Sequence, residues 1–433
     1  MPAETNFPWR TASLNPMLIF AALLCSPALL AAASVPTPEL PRIPARTFRV
    51  QHGGAALDTA AFQKAIADCT QAGGGVIDVL AGRYHTGPLT LGGRTELRLE
   101  AGATIRFEQD PDAYQSLPKP FRAFLTFLGD DVALTGAGTI DGQGAPWWTR
   151  FRHSRTTPGT PEFQRPRLVA FNNGRRVLVR GVALANSPSF HLVPSRCEDV
   201  TIENITITAP ADSPNTDGMD PSLCRNMRIT GCRIDVGDDN IAVKSGKDDP
   251  AHPLGPSQNL DIRDCTFLHG HGLSIGSETN GGVRGMTVER CTFDGTVSGI
   301  RMKSSRGRGG TVENLTYSDI TMKNVRTAID ISSYYPHPPK PGVADSTTTV
   351  TADTLCWRNI QIRNVTATGG RDAGLMVGLP EMPLSNITLE NVHLSTEHGL
   401  RIDNARGVHF VNTQITTSDG KPALALQNAE VKR

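Results

Sequence analysis

One eight-residue phrase recurs from residue 177 onward: apolar, any, apolar, any, polar or Gly, apolar, any, apolar. It spans Val177 to Leu184, Val200 to Ile207, Met227 to Ile234, Leu260 to Phe267 and Met286 to Phe293, and later copies begin at Leu315, Ile360, Ile387 and Val408. Apolar residues at every second position mean strands with one buried face. From Val200 to Leu315 the copies start 27, 33, 26 and 29 residues apart. Such gaps suit coils of two or three short strands better than a leucine-rich repeat with its fixed frame. Parallel coils stacked about 4.8 Å apart bury a continuous core through nearest-neighbour contacts. A chain of 433 residues can then be one solenoid, although length alone would allow two or three domains. The expected fold is all-β, a single-stranded right-handed parallel β-helix with an N-terminal helical cap.

The segments before the repeat fit that picture. Asp58 to Gln71 reads as an N-capped amphipathic helix with Phe62, Ala65, Ile66 and Cys69 on one face, suited to closing the open end of a solenoid. Upstream, Arg10 precedes an apolar run from Met17 to about Ala33 that ends in small residues. This pattern is that of a secretory signal peptide over 1–33, leaving 34–433 as the β-helix domain and a secreted or periplasmic protein. Pro27 interrupts the run, which is short for a membrane span. Leu24 before Cys25 is a poor lipoprotein context. The 42 glycines and 6% aromatic content suit many short strands and turns. The net charge of +1 marks neither a nucleic-acid nor a membrane-surface binder, so an anionic ligand must be met by a local basic cluster.

The register assigns most cysteines. Cys232, Cys265 and Cys291 occupy the sixth position of the phrase, where other copies carry Ile205, Ile320, Val365 and Val392, and are expected as small core residues. Neither a Cys-x-x-Cys nor a histidine cluster accompanies them, so no metal site is expected. Cys197 and Cys224 each lie three residues before a phrase on consecutive coils, within reach of a disulfide in an exported protein.

A second phrase in each coil carries the chemistry. Aligned on its apolar positions, it begins at Asp217, Asp239, His271, Ser298, Thr327, Ala373 and His398. Its third and fifth positions are apolar and face the core, so the fourth and sixth face outward to solvent. Asp217, Asp239 and His271 thus share one column on consecutive coils, Asp238 adjoins Asp239 at the turn, and Arg301 and Lys303 take the outward positions one coil beyond. Any one of these could be an ordinary turn or surface residue. Together they are a stack of like charges that folding does not need. Glycosidic hydrolysis needs a protonated carboxyl for the leaving oxygen and an ionised one for water or direct attack. Crowded carboxylates keep one proton near working pH. An adjacent Arg and Lys would neutralise the carboxylate of a uronic acid, which a neutral sugar would not require.

Four motifs in this order, Asn215-Thr216-Asp217, Gly237-Asp238-Asp239, Gly270-His271-Gly272 and Arg301-Met302-Lys303, resemble glycoside hydrolase family 28, the polygalacturonase family. The likeness extends over roughly residues 45 to 420. It implies inverting hydrolysis of α-1,4-linked galacturonate polymers, with Asp238 as general acid and Asp217 and Asp239 activating water. His271 would support the acid, and Arg301 and Lys303 would bind the galacturonate carboxylate. Tyr335, Asn215, Lys244 and Glu278 are further candidate substrate contacts, with Tyr334 adjacent to Tyr335 in a soft register. Gly237, Asn240 and Met302 depart from the family's usual residues without removing a catalytic group. The long segment Ser245 to Ser257 and Gly276-Ser277-Glu278 resemble exo-acting bacterial members. The implied protein is a monomer needing no cofactor, whose partner is a pectic polysaccharide or oligosaccharide. Three alternatives compete: a hydrolase of rhamnogalacturonan or another pectic glycan, a calcium-dependent β-helix pectate lyase, and a non-catalytic carbohydrate-binding β-helix.

Overall fold

The computed structural model describes residues 35–51, 57–114, 122–247, 255–343 and 345–433. The leader expected over 1–33 and most of the lengthened coil after Lys247 lie outside them. Val35 to Arg433 form one compact unit. Its strands pair in parallel with the next coil throughout, making a right-handed parallel β-helix with three ladders along its length.

The eight-residue phrase supplies two of these ladders. Its first half stacks Val177 on Val200, Met227, Leu260, Met286, Leu315, Ile360 and Ile387. Its second half stacks Leu184 on Ile207, Ile234, Phe267, Phe293, Met322, Ala367 and Leu394. The polar or glycine residue at the fifth position is the bend between them. Asn204, Gly231, Asp264, Asp319, Asn364 and Asn391 all take positive φ there, the left-handed region that Gly, Asn and Asp tolerate best. The asparagines also bond from coil to coil, Asn364 Nδ2 to Asp319 Oδ1 at 2.8 Å and Asn391 Nδ2 to Asn364 Oδ1 at 3.1 Å. The corner accounts for the break in alternation between the third and sixth positions of the phrase, and it divides each coil into the short strands its length implied.

Inside, side chains of successive coils lie on one another. Phe127 and Phe171 stack at 4.5 Å, and Phe267 and Phe293 sit 4.8 Å apart. Cys232, Cys265 and Cys291 are buried core residues as expected, their thiols directed at the carbonyls of Thr230, Arg263 and Glu289. Cys197 and Cys224 are buried on consecutive coils but stay separate thiols. Each is directed at backbone carbonyls, Phe171 O and Ser195 O for Cys197, Pro194 O and Ser222 O for Cys224, and the two thiols also lie in contact with each other, as their register implied.

Helix α1, Thr59–Gln71, packs against strands Thr47–Arg49, Gly75–Val79 and Leu89–Leu91 and buries Phe62, Ala65 and Cys69. Asp58 precedes it without a side-chain cap; its carboxylate instead accepts from the His85 amide at 3.0 Å. Helix α2, Ala145–Thr156, had no counterpart in the sequence reading. It interrupts the coils and buries Trp147, Trp148 and Phe151, with Trp148 Nε1 donating to Ser187 O at 3.0 Å.

Candidate active site

The third ladder carries the second phrase. Val169 stacks on Leu192, Met219, Ile241, Leu273, Ile300 and Ile329. Counting back two residues at each step places Asp217, Asp239 and His271 in one column, as the alignment expected. The glycines around His271 are geometric necessities. Gly270 and Gly272 have φ of +62° and +76°, and a Cβ would come within 2.2 Å of Asp238 O at the first and 1.9 Å of Ser298 O at the second. Only glycine lets the chain rise from the Asp238 turn and present the imidazole to it.

Asp239 is the hub. Its Oδ2 accepts from Lys303 Nζ at 2.6 Å, and its Oδ1 accepts from Arg301 at 3.1 Å and from Ser274 Oγ at 2.8 Å. His271 Nδ1 lies 3.0 Å from Asp238 Oδ1 and 3.6 Å from Asp239 Oδ1, close ionic approaches that are poorly aligned for a hydrogen bond. Burial would raise the Asp239 pKa, but Lys303, His271 and Arg301 overcome it and hold that carboxyl well below its usual range. Burial likewise opposes charge on His271, yet Asp238 and Asp239 raise the ring to about 9. Asp217 goes the other way. Burial first, then Asp220 and Asp238, push its pKa well above the ordinary value, and its Oδ1 has no hydrogen-bond partner among the described residues. The neighbouring Asp217 and Asp239 carboxyls thus have unequal affinity for protons, the condition for splitting acid and base duties.

Outward does not mean exposed here. Asp220, at a fourth position, is 2% exposed and Lys303, at a sixth, is 7% exposed. The positions expected to face solvent are covered by one another, which is why their charges interact so strongly.

The remaining candidates separate clearly. Asn215 bridges, its Oδ1 accepting from Arg165 at 2.8 Å and its Nδ2 donating to Asp238 Oδ2 at 3.3 Å. Tyr335 faces the site with its ring 5.3 Å from Lys303 Nζ, whereas Tyr334 turns away to Asp345 and Arg306. Lys244 pairs with Asp220 at 2.6 Å and lies 3.8 Å from Glu278; burial opposes its charge, and Asp220 and Asp217 keep it. Asp220, Ser274 and Asp330 were not singled out from sequence. All three sit at the fourth position of the second phrase, where the register itself could have found them. Asp330 Oδ2 lies 3.6 Å from Arg301 Nε, so that guanidinium is held between two carboxylates. Arg165 had no signal, because α2 places it: its guanidinium lies 3.5 Å over the Phe151 ring. Asp238, Asp239 and His271 form the one group among the described residues whose donor atoms, within 4.8 Å of one another, could hold a metal ion. Arg301 and Lys303 already press two fixed cations against it.

A parallel β-helix with clustered carboxyls, an imidazole and paired cations on one outer ladder defines a carbohydrate-active enzyme of the acid/base kind. Residues 69–422 match the glycosyl hydrolases family 28, and the chain belongs to that family as a glycoside hydrolase. A Vitis vinifera protein described as a probable polygalacturonase is 32% identical over 79% of this chain and 72% of its own. An endo-polygalacturonase of Pectobacterium parmentieri is 30% identical over 80% and 86%. Among solved structures, an exopolygalacturonase from Thermotoga maritima superposes with a TM-score of 0.72 at 27% identity, covering 91% of this chain and 94% of that one.

Proposed function

We propose that this chain hydrolyses α-1,4-linked galacturonate polymers or oligomers by an inverting mechanism. One observation carries the proposal: Arg301 and Lys303 stand directly against the Asp238–Asp239–His271 cluster, where only an anionic sugar gains from them. Relatives described as polygalacturonases, both endo and exo, support the same substrate. Asp238 donates to the leaving oxygen. Asp239, held ionised, orients and deprotonates water, and Asp217 joins it once its own proton has passed to the Asp238 side. The arriving uronate draws Arg301 and Lys303 toward its carboxylate, and its negative charge raises the affinity of the nearby carboxyls for that proton. Asn215 and His271 fix the Asp238 carboxylate, and Tyr335, Lys244 and Glu278 line the approach. Cleavage from chain ends, export by the leader over 1–33 and a monomeric enzyme complete the proposal.

The test is incubation with de-esterified polygalacturonate while reducing ends, viscosity and product size are followed. Release of saturated mono- or digalacturonate with little early viscosity loss is expected. A rapid viscosity drop would replace exo with endo action, and ultraviolet-absorbing unsaturated products would make the enzyme a lyase. No new reducing ends from any galacturonan would sink the proposal.

A further inference from the structure

The column that holds Asp217, Asp239 and His271 continues toward the N-terminal end. Stacking Val169 on Leu192 and Met219 places Arg167 and Phe190 in line with Asp217, two coils and one coil before it. Both are partly exposed on the same outer ladder. Arg167 differs from the other cations near the site. Lys244 is paired with Asp220, and Lys303 and Arg301 with Asp239. Arg165 donates to Pro188 O, Pro214 O and Asn215 Oδ1. The Arg167 guanidinium meets no acceptor oxygen among the described residues; it rests 5.8 Å from the centre of the Phe190 ring. Lys244 Nζ also approaches that ring, at 4.7 Å. Burial lowers the Arg167 pKa, and the charge of Asp220 opposes that fall without supplying a hydrogen bond to the guanidinium. A half-buried guanidinium without an acceptor is expensive to keep unless something outside the chain supplies one.

We propose that Arg167, resting against Phe190, forms a second uronate-binding subsite that takes the carboxylate of a galacturonate ring beyond those flanking the broken bond. Two coils correspond to about 10 Å, so a carboxylate on Arg167 belongs to a ring that does not touch Asp217, Asp238 or Asp239. Guanidinium and carboxylate match as a two-pronged pair, and the Phe190 ring supplies an apolar wall for a sugar face. The subsite lies on the opposite side of the carboxylates from Arg301 and Lys303, so a polyuronide would be gripped by cations on both sides of the cleaved bond. This inference rests on the galacturonan reading above.

The experiment compares the wild type with Arg167→Gln, Arg167→Met and Arg167→Lys on tetragalacturonate and polygalacturonate, reading KM and kcat separately alongside the thermal midpoint. Loss of one charge-assisted contact should raise KM about 10-fold with kcat nearly unchanged in Arg167→Gln and Arg167→Met. Arg167→Lys keeps the charge but loses the two-pronged geometry, so its KM should fall between those of wild type and the charge-free variants. Arg167→Met retains an unbranched stem over Phe190, so it remains informative if Arg167→Gln unfolds. Unchanged KM in the charge-free variants, or a fall in kcat alone, would overturn the subsite while leaving galacturonan hydrolysis standing. A wild type inactive on every galacturonan overturns both.

Discussion

The first and third ladders are built alike, with parallel strands stacked coil on coil, yet they treat charge in opposite ways. On the first ladder and its corners, opposite charges face each other pairwise. Arg98 Nε meets Asp78 at 3.0 Å, Arg228 Nε meets Asp261 at 3.2 Å, and Arg290 Nε meets Asp264 at 2.8 Å. On the third ladder, Asp217, Asp220, Asp238 and Asp239 crowd one side, and their compensating cations come from coils further on. The first arrangement satisfies each charge locally and leaves little free energy to exploit. The second forces unequal proton affinities on neighbouring carboxyls, with Asp217 raised and Asp239 lowered. A solenoid stacks whatever its register dictates, so the difference lies in sequence placement and not in backbone geometry.

Four substitutions or titrations sharpen this contrast. The largest effect is expected at Asp238→Asn, which should lower kcat by about 10³-fold or more, within the range for loss of a general acid. Its thermal midpoint should not fall; preserved activity would move the acid elsewhere in the cluster. Next, Lys303→Met leaves Asp239 buried with one cation fewer. It should cost about 3 kcal/mol of stability, the scale for breaking a buried pair, and lower kcat/KM about 10²-fold. Denaturant unfolding and kinetics together check it, and a stable but inactive variant would confine Lys303 to the substrate.

The third concerns His271. Its folded pKa of about 9 lies above the ordinary 6.5, so the charged ring stabilises the fold. That contribution is complete below pH 6.5 and is lost as pH climbs through about 9. The alkaline limb of the activity profile should therefore fall near pH 9 and shift in His271→Gln. An identical limb in that variant would show that another group titrates. The smallest effect belongs to the first-ladder side. Arg290→Gln breaks a pair half open to solvent and should leave activity and midpoint unchanged within error. A measurable loss there would erase the distinction between the two ladders.

Much of the site was legible because a parallel β-helix converts sequence offset into spatial stacking. Once the second phrase was aligned, Asp217, Asp239, His271, Arg301 and Lys303 had to share a surface. The same rule covers Asp220, Ser274 and Asp330, which were passed over because a lone Asp or Ser at an outward position looks like ordinary surface. The corner inside the eight-residue phrase was legible too, because its buried positions step from the third to the sixth, as in Val179 and Val182, a shift of phase that one straight strand cannot make.

The sequence by itself determined the solenoid, its registers and the membership of the charged column, all of which follow from period-two alternation repeated coil by coil. Tertiary structure decided how that column behaves. Helix α2 brings Arg165 to Asn215, which in turn holds Asp238. Tyr335 rather than Tyr334 turns toward Lys303. Burial also raises the pKa of Asp217, whereas at Asp239 the charges of Lys303, His271 and Arg301 outweigh it. Proton affinity depends on desolvation and on charges a few ångströms away, and a register fixes which residues are neighbours but not how deeply they are covered.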